Sequence, residues 1–169
     1  PMTEESLQLG KHPGPLALVA LMRWMLRPLD FRQSAILLQC ACALSDKNNP
    51  LDEAALLDEF VEVQEYVKED GTKGSKGVFN TEGLLKYLYP NLKIKDRTTG
   101  PLAGFVGHAC EELGLTKNYS AYAEGLIELA LQVGGTDESG LHGFLRVWDS
   151  SGKEKSIITA KSKDTVSIM

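Results

Sequence analysis

The chain has 169 residues, of which 43% are hydrophobic, and a formal net charge of −5. This length fits a single domain, 1–169, with a core of its own, and the net charge excludes uniform attraction to a polyanion. The acidity is unevenly distributed: residues 1–70 carry 12 acidic and 6 basic side chains, whereas residues 71–169 carry 11 and 12. A surface that faces phosphates is therefore expected in the second part of the chain.

Cysteine content and hydropathy bear on the compartment of the protein. Cys40, Cys42 and Cys110 cannot all pair within one chain, which favours a reducing, cytoplasmic location. The most apolar stretch, 15–26, is too short for a bilayer that needs about 20 residues. Acidic residues precede this stretch, where a secretory signal would carry positive charge. We expect an intracellular protein without a membrane span.

Two helices are predicted in the first part of the chain. Pro15 suits the first turn of a helix that runs to about Arg27, and this helix is apolar nearly all round. Such a helix lies either at the centre of the core or in a dimer interface. Asp30 and Gln33 resemble a capping box that opens a second helix ending near Ser45.

The next segment is predicted as an acidic helix followed by a loop. Asp52 can cap a third helix, 52–69, whose apolar residues recur at helical spacing and whose opposite face is rich in glutamate. Three glycines follow within residues 70–78. We interpret this segment as a flexible surface loop, because it lacks the Gly-Lys-Ser/Thr ending of a phosphate-binding loop.

Three further helices are predicted at 80–89, 99–113 and 119–133. All three have apolar residues at helical spacing and a proline or glycine at the end, and the first two also have a polar capping residue at the start. From 143 to 159 the apolar period changes to two, with a turn at Asp149–Gly152. The sequence therefore predicts an α+β fold, mostly α-helical, with six helices, a C-terminal β-hairpin at 143–159 and a frayed tail at 162–169.

No catalytic or metal-binding constellation is legible in the sequence. Catalysis needs a nucleophile beside a base, paired carboxylates in a cleft, or an open metal site. His108 and Glu112 are four residues apart on one helix face, but two ligands do not make a zinc site. We expect a protein that is not an enzyme and has neither a metal nor a cofactor.

A short helix at 80–89, a connector and a second helix at 99–113 form an arrangement typical of proteins whose second helix enters the major groove of DNA. The ending of the second helix, Cys-Glu-Glu-Leu-Gly-Leu115, resembles that of the recognition helix in winged-helix regulators. Residues 148–159 are similar to the wing of the multidrug-resistance-repressor type. The resemblance covers about half the chain and implies a DNA-binding regulator.

The resemblance and the basic residues together nominate a set of nucleic-acid contacts. The resemblance implies that the second helix supplies groove-facing residues and that the hairpin supplies wing contacts. A basic connector between the helices is expected to follow the phosphate backbone. The candidates are Lys93, Lys95, Arg97, Thr98, Thr99, His108, Arg146, Lys153 and Lys155.

Two functions are therefore expected from different classes. The first is a dimeric nucleic-acid-binding regulator of the winged-helix kind. The second is a protein that assembles with itself or joins other proteins, such as a small viral structural component, matrix or capsid-associated, or an inhibitor of a host factor. An acidic helix at 52–69 and a basic hairpin would allow head-to-tail association of copies. Binding to nucleic acid and concentration-dependent association separate the two.

Overall fold

The computed structural model describes residues 7–94, 101–134 and 140–157. Within them the fold is α+β and mostly helical, with eight α-helices instead of the predicted six and one small antiparallel sheet. The elements are α1 (Pro13–Leu26), α2 (Phe31–Leu44), α3 (Glu53–Phe60), β1 (Val61–Val67), β2 (Lys73–Phe79), α4 (Thr81–Leu88), α5 (Leu102–Glu112), α6 (Leu115–Asn118), α7 (Ser120–Gly134) and α8 (Gly140–Ser150).

Helix α1 forms the centre of the main core. Leu18, Leu21 and Met22 are fully buried, and the helix contacts α2, α5, α7 and α8. The all-round apolar surface of α1 is therefore explained by neighbours within the chain, as expected for a helix that is covered on every side. Of the two alternatives for this helix, the structure confirms the placement in the core.

His12 caps the start of α1 and is enclosed by aromatic rings. Its Nδ1 accepts a hydrogen bond of 3.0 Å from the N–H of Gly14. The imidazole stacks on Tyr122 with 4.0 Å between ring centroids and meets Tyr119 edge-on at 4.7 Å. Burial lowers the pKa of His12 from its ordinary value of 6.5. The cap thus depends on a neutral imidazole.

We expect His12 to make the stability of the fold dependent on pH. Because the pKa of His12 is lower in the folded state than in the unfolded chain, its contribution is complete above about pH 6.5 and declines as the pH falls below that value. The midpoint of thermal unfolding, measured from pH 8 to pH 5, should fall more steeply for the wild type than for His12→Asn, which keeps a capping acceptor but cannot titrate. His142→Asn, at an exposed histidine, should retain the wild-type slope. Equal slopes for wild type and His12→Asn would contradict this role.

Helix α2 joins the main core to a second, smaller one. Leu37 packs in the main core, whereas Leu38 packs with Phe60, Phe79 and other residues beneath the sheet. A buried hydrogen bond of 2.5 Å between the hydroxyls of Ser34 and Thr81 fastens α2 to the start of α4. The second core thereby fixes the base of the sheet against the helical body.

The predicted helix 52–69 is wrong beyond Phe60, and the predicted loop 70–78 is largely a strand. Residues 61–67 form β1, which pairs with β2 in the register Val61↔Phe79, Gln64↔Lys76 and Val67↔Lys73. The valines at 63 and 67 are four residues apart, a spacing that places them on one face of a helix and also on one face of a strand. β-branched side chains favour the extended backbone, and the following Asp70-Gly71 pair favours a hairpin turn.

The turn between the strands shows why the chain reverses there. The N–H of Gly71 donates to Lys68 O at 2.9 Å, and Gly71 has a φ of 86°, which costs a glycine little. The carboxylate of Asp70 accepts hydrogen bonds from the N–H and the hydroxyl of Thr72 at 3.0 and 2.6 Å. The segment is therefore a defined turn followed by a strand.

The predicted hairpin at 143–159 is also wrong in the part that the structure describes. Residues 140–150 form α8, a short 3₁₀ turn follows at Gly152–Glu154, and Ser156 forms an isolated bridge to Gln8. Phe144, Leu145 and Trp148 are buried together, a spacing that suits a helix and not a strand. The predicted tail at 162–169 and residues 158–159 of the hairpin lie outside the described residues.

The other predicted helices are present with small shifts at their ends. Helix α4 matches the prediction at 80–89, α5 the one at 99–113 and α7 the one at 119–133. Between α5 and α7, Gly114 adopts a φ of 81° and the chain adds the short helix α6. Helices α5 and α7 pack side by side, so the predicted recognition helix is part of the main core.

Candidate nucleic-acid interface

An open cleft of about 400 Å³ lies where the end of α1, the start of α2 and the first half of α8 meet. Three guanidinium groups and one imidazole line it, together with the apolar side chains of Leu26 and Leu145. We name this feature the arginine cleft. Its cationic residues are Arg23, Arg27, Arg32 and His142.

Local structure explains why the three arginines converge. Arg23 and Arg27 are four residues apart at the end of α1, where the N–H of Arg27 donates to Arg23 O at 2.9 Å. Side chains at this spacing lie on one face of a helix, and cations near the C-terminus are favoured by the helix dipole. Pro28 follows, and the turn to Asp30 reverses the chain so that Arg32, in the first turn of α2, faces the same cleft.

Two carboxylates partly balance the charge of the cleft. Asp149 of α8 pairs with Arg23 at 2.7 Å. Asp30 accepts a hydrogen bond from Arg32 Nε at 3.1 Å, and this bond lowers the pKa of Asp30 and raises that of Arg32. Arg27 makes no ion pair within the part of the chain that the structure describes. The cleft therefore has three guanidinium groups against two carboxylates, and Arg27 is available to an anion.

Helix α8 extends the cationic surface beyond the cleft. Arg146 lies one turn after His142 on α8, and its side chain is exposed. Residues four apart share a helix face, so His142 and Arg146 point in the same general direction. Asp149 continues this face and makes the ion pair with Arg23 described above. Of the residues predicted from sequence, Arg146 is the one that adjoins the arginine cleft.

His108 and Lys93 are in contact, but through the backbone. Lys93 follows α4, and its N–H donates to His108 Nε2 at 3.0 Å. His108 thus ties the connector to α5, while the Lys93 side chain is exposed. Lys95, Arg97, Thr98 and Thr99 lie outside the described residues.

The lysines predicted as wing contacts lie on a different part of the molecule. Lys155 forms an ion pair of 3.3 Å with Glu128 of α7, and its side chain is 26% exposed. Lys153 is exposed, and its backbone passes so close to Gly10 that a side chain there would meet Lys153 O at 2.8 Å. Both lysines therefore belong to the segment that packs on the N-terminal residues and α7.

The surface of α5 does not suit contact with a phosphate backbone. Phe105, Val106 and Cys110 are buried, and the exposed or half-exposed residues at its end are Glu111 and Glu112. The described part of this helix has no lysine or arginine, which are the commonest readers of base edges. Burial also raises the pKa of Cys110 to about 12, so its thiol stays protonated at neutral pH.

A second cavity, of about 570 Å³, lies on the other side of α1. It is lined mainly by apolar and aromatic side chains, including Trp24, Leu85 and Tyr89, with Lys86 and Lys93 at its edge. Burial raises the pKa of Tyr89 to about 12, so the phenol remains neutral. This lining suits an apolar contact better than a phosphate group.

Sequence reasoning missed the arginine cleft because its residues come from distant segments. Arg23 and Arg27 lie in the half of the chain that is acidic overall, and His142 lies near the other end. One local signal was present: two arginines at helical spacing directly before a proline, with a third arginine after the turn. Neither charge averaging nor any single motif places these residues beside α8.

Comparison with protein-family models, with curated protein sequences and with solved structures gives no match to this chain. The structure also contains, among its described residues, no helix that is long and apolar enough to cross a membrane.

Proposed function

We propose that the chain is a regulatory protein that binds nucleic acid, and that its arginine cleft holds the phosphate backbone. The observation that carries this proposal is the convergence of Arg23, Arg27 and Arg32 on one open cleft. Guanidinium groups present paired N–H donors whose geometry matches phosphate oxygens, and they keep their charge at any physiological pH. An oligonucleotide phosphate is the ligand class that best suits three arginines from two helices.

The acidic surface of α3 and β1 supports binding that is restricted to one part of the molecule. The exposed residues of α3 and β1 include Glu53, Asp58, Glu59 and Glu62. These carboxylates repel a polyanion, whereas the cleft attracts it, so the charge distribution favours one orientation. Asp30 and Asp149 hold the guanidinium groups of Arg32 and Arg23 in place, and a phosphate would compete with them for these donors.

The winged-helix mode of binding is not part of this proposal. Its expected wing, near residues 148–159, corresponds to the end of α8 and a 3₁₀ turn over the residues that are described. The β-hairpin of this chain precedes α4 and α5 instead of following them. The resemblance in the two helices stays a prediction, and the proposed contacts are the residues of the cleft with Arg146 beside it.

The direct test is binding of labelled oligonucleotides, single-stranded and duplex, followed by fluorescence anisotropy over a series of salt concentrations. Each phosphate contact to duplex DNA should contribute about 0.9 to the slope of log K against log salt. Three contacts by the cleft arginines therefore predict a slope near −3. Absence of binding near physiological ionic strength, or binding without a salt slope, would overturn the proposal.

A second function, association with protein, is favoured by the β-hairpin. Val63 and Val67 are 73% and 70% exposed on β1, in which residues 62–67 are all exposed. Exposed β-branched side chains on a strand with an unpaired outer edge are typical of surfaces that receive another strand. We propose an assembly or adaptor role as the alternative to nucleic-acid binding.

A further inference from the structure

The hairpin of β1 and β2 has free edges and an exposed apolar face. Within the described residues, neither outer edge pairs with a third strand. Val63 and Val67, which lie on one face of β1, are 73% and 70% exposed, and Tyr66 on the opposite face is 44% exposed. A two-stranded ribbon is marginally stable in water, and additional strands strengthen it. The hairpin is therefore an incomplete sheet that would gain from a further strand.

The hydrogen bonds of the ribbon identify which backbone groups are free. Asn80 N–H donates to Phe60 O at 2.7 Å, and Lys68 N–H donates to Thr72 O at 2.8 Å. Bonded pairs alternate with non-bonded pairs in an antiparallel ladder, so the even-numbered residues of β1 bond to β2. The odd-numbered residues Val61, Val63, Glu65 and Val67 consequently direct their N–H and C=O groups to the outer edge.

The two edges differ in their fitness for a partner strand. β2 carries two exposed lysines, Lys73 and Lys76, and two glycines, Gly74 and Gly77. Lysine on an edge discourages strand addition, and glycine weakens a strand. β1 has no lysine or arginine and contains three valines and a tyrosine. The open and apolar edge is that of β1.

We propose that β1 pairs antiparallel with β1 of a second copy of this chain, centred on Gln64, to form a four-stranded sheet. The sequence Val-Glu-Val-Gln-Glu-Tyr-Val is self-complementary in this register. Val61 lies opposite the second copy's Val67, and Glu65 lies opposite the second copy's Val63. Like charges directly opposite each other would destabilise the sheet, and this register contains none.

A two-fold axis relates the two copies in this dimer. The axis is perpendicular to the sheet and directs the two hairpins in opposite directions, so the two helical bodies lie at opposite ends of the four-stranded sheet. The same axis keeps the valines of both copies on one face. The odd-numbered residues whose backbone groups point outward bond to each other, which satisfies the free groups of both edges. The proposal rests on the protein-association function and does not depend on the arginine cleft.

A matched pair of proline variants tests the proposal by sedimentation velocity over a range of protein concentrations. Val63→Pro removes an N–H that points to the outer edge of β1, whereas Ser75→Pro removes the equivalent N–H on β2. Proline is tolerated at such edge positions because no bond within the ribbon is lost. We expect the wild type and Ser75→Pro to dimerise and Val63→Pro to remain a monomer.

Cross-linking tests the register independently. Gln64 of one copy faces Gln64 of the other as a non-bonded pair, for which the Cα atoms lie about 4.5 Å apart. This separation is within the range of about 4.4–6.8 Å that a disulfide requires. Oxidation of Gln64→Cys should yield a covalent dimer, whereas Ser75→Cys, at an exposed position of β2, should give none above the wild-type level.

Three results would overturn the proposal: a wild type that remains a monomer, a loss of dimer in Ser75→Pro equal to that in Val63→Pro, or no cross-link in Gln64→Cys. Circular dichroism of each variant distinguishes loss of the dimer from loss of the fold. Oligonucleotide binding by Val63→Pro, measured in parallel, should persist. If Val63→Pro lost oligonucleotide binding together with the dimer, the two functions would depend on the same surface, which contradicts their independence.

Discussion

Replacing Arg27 and Arg32 together by alanine is expected to weaken oligonucleotide binding by about a hundredfold near physiological ionic strength. A hydrogen bond to a charged group contributes about 1.5–3 kcal/mol, and about 1.4 kcal/mol corresponds to tenfold in affinity. The slope of log K against log salt should also become shallower by about 2, because two phosphate contacts are lost. Anisotropy titrations of wild type and variant measure both quantities.

The control for this variant is Lys47→Ala combined with Lys117→Ala. Each double variant removes two positive charges, so the change in net charge is the same. Both lysines are exposed and lie outside the arginine cleft. We expect this control to alter affinity by less than about threefold, since distant charges are screened beyond about 8–10 Å. If the two double variants weaken binding equally, the cleft does not contact the oligonucleotide, and binding arises from general attraction to the positive charges of the protein.

Truncating Phe144 to alanine is expected to lower the free energy of unfolding by about 3–5 kcal/mol. Phe144 is fully buried against the main core, and its loss leaves a cavity that the surrounding helices fill incompletely. Chemical denaturation, followed by circular dichroism, measures the change. This loss is a large fraction of the total free energy of unfolding of a domain, which is only about 5–15 kcal/mol.

Two companion variants test whether residues 144 and 145 are buried together, as they are in α8. Leu145 is 8% exposed beside Phe144, so Leu145→Ala should also cost about 2–5 kcal/mol. His142→Ala, at an exposed position of α8, should change stability by less than about 0.5 kcal/mol. In a strand, 144 and 145 would face opposite sides. A small effect for one of these two core residues and a large effect for the other would therefore contradict the helix.

The sequence was sufficient for the helices that carry clear signals at their ends. Helices α1, α2, α4, α5 and α7 combine apolar residues at helical spacing with a capping residue, a proline or a glycine. For α2, the predicted capping residue Asp30 does accept a hydrogen bond from the N–H of Arg32. Periodicity and capping act locally, so they can be recognised without knowledge of the tertiary structure.

The two errors in secondary structure have related causes. Along 61–67 the valines satisfy both a helical and an alternating pattern, and the Asp70-Gly71 turn was the signal that decides between them. Along 144–148 an alternating reading was possible, but Phe144, Leu145 and Trp148 also match one helix face. There the Asp149–Gly152 segment has the composition of a hairpin turn, but in the structure it ends α8.

The candidate site was less predictable than the fold. Arg146 was nominated from the sequence, but for a strand, and it adjoins the cleft because α8 packs on α1. Arg23, Arg27 and Arg32 were not nominated, since their significance arises from the chain reversal after Pro28 and from the position of His142. A site assembled by tertiary packing has no local signature, and the comparison of charge between halves of the chain pointed away from it.

The most direct test of the arginine cleft is to map where bound nucleic acid touches the protein. An oligonucleotide that carries a photoreactive base would be cross-linked to the wild-type protein, and the attached peptides would be identified by mass spectrometry. The proposal predicts cross-links within residues 23–32 and 142–146. Cross-links confined to the hairpin, 61–79, or to the segment 101–118 would contradict it.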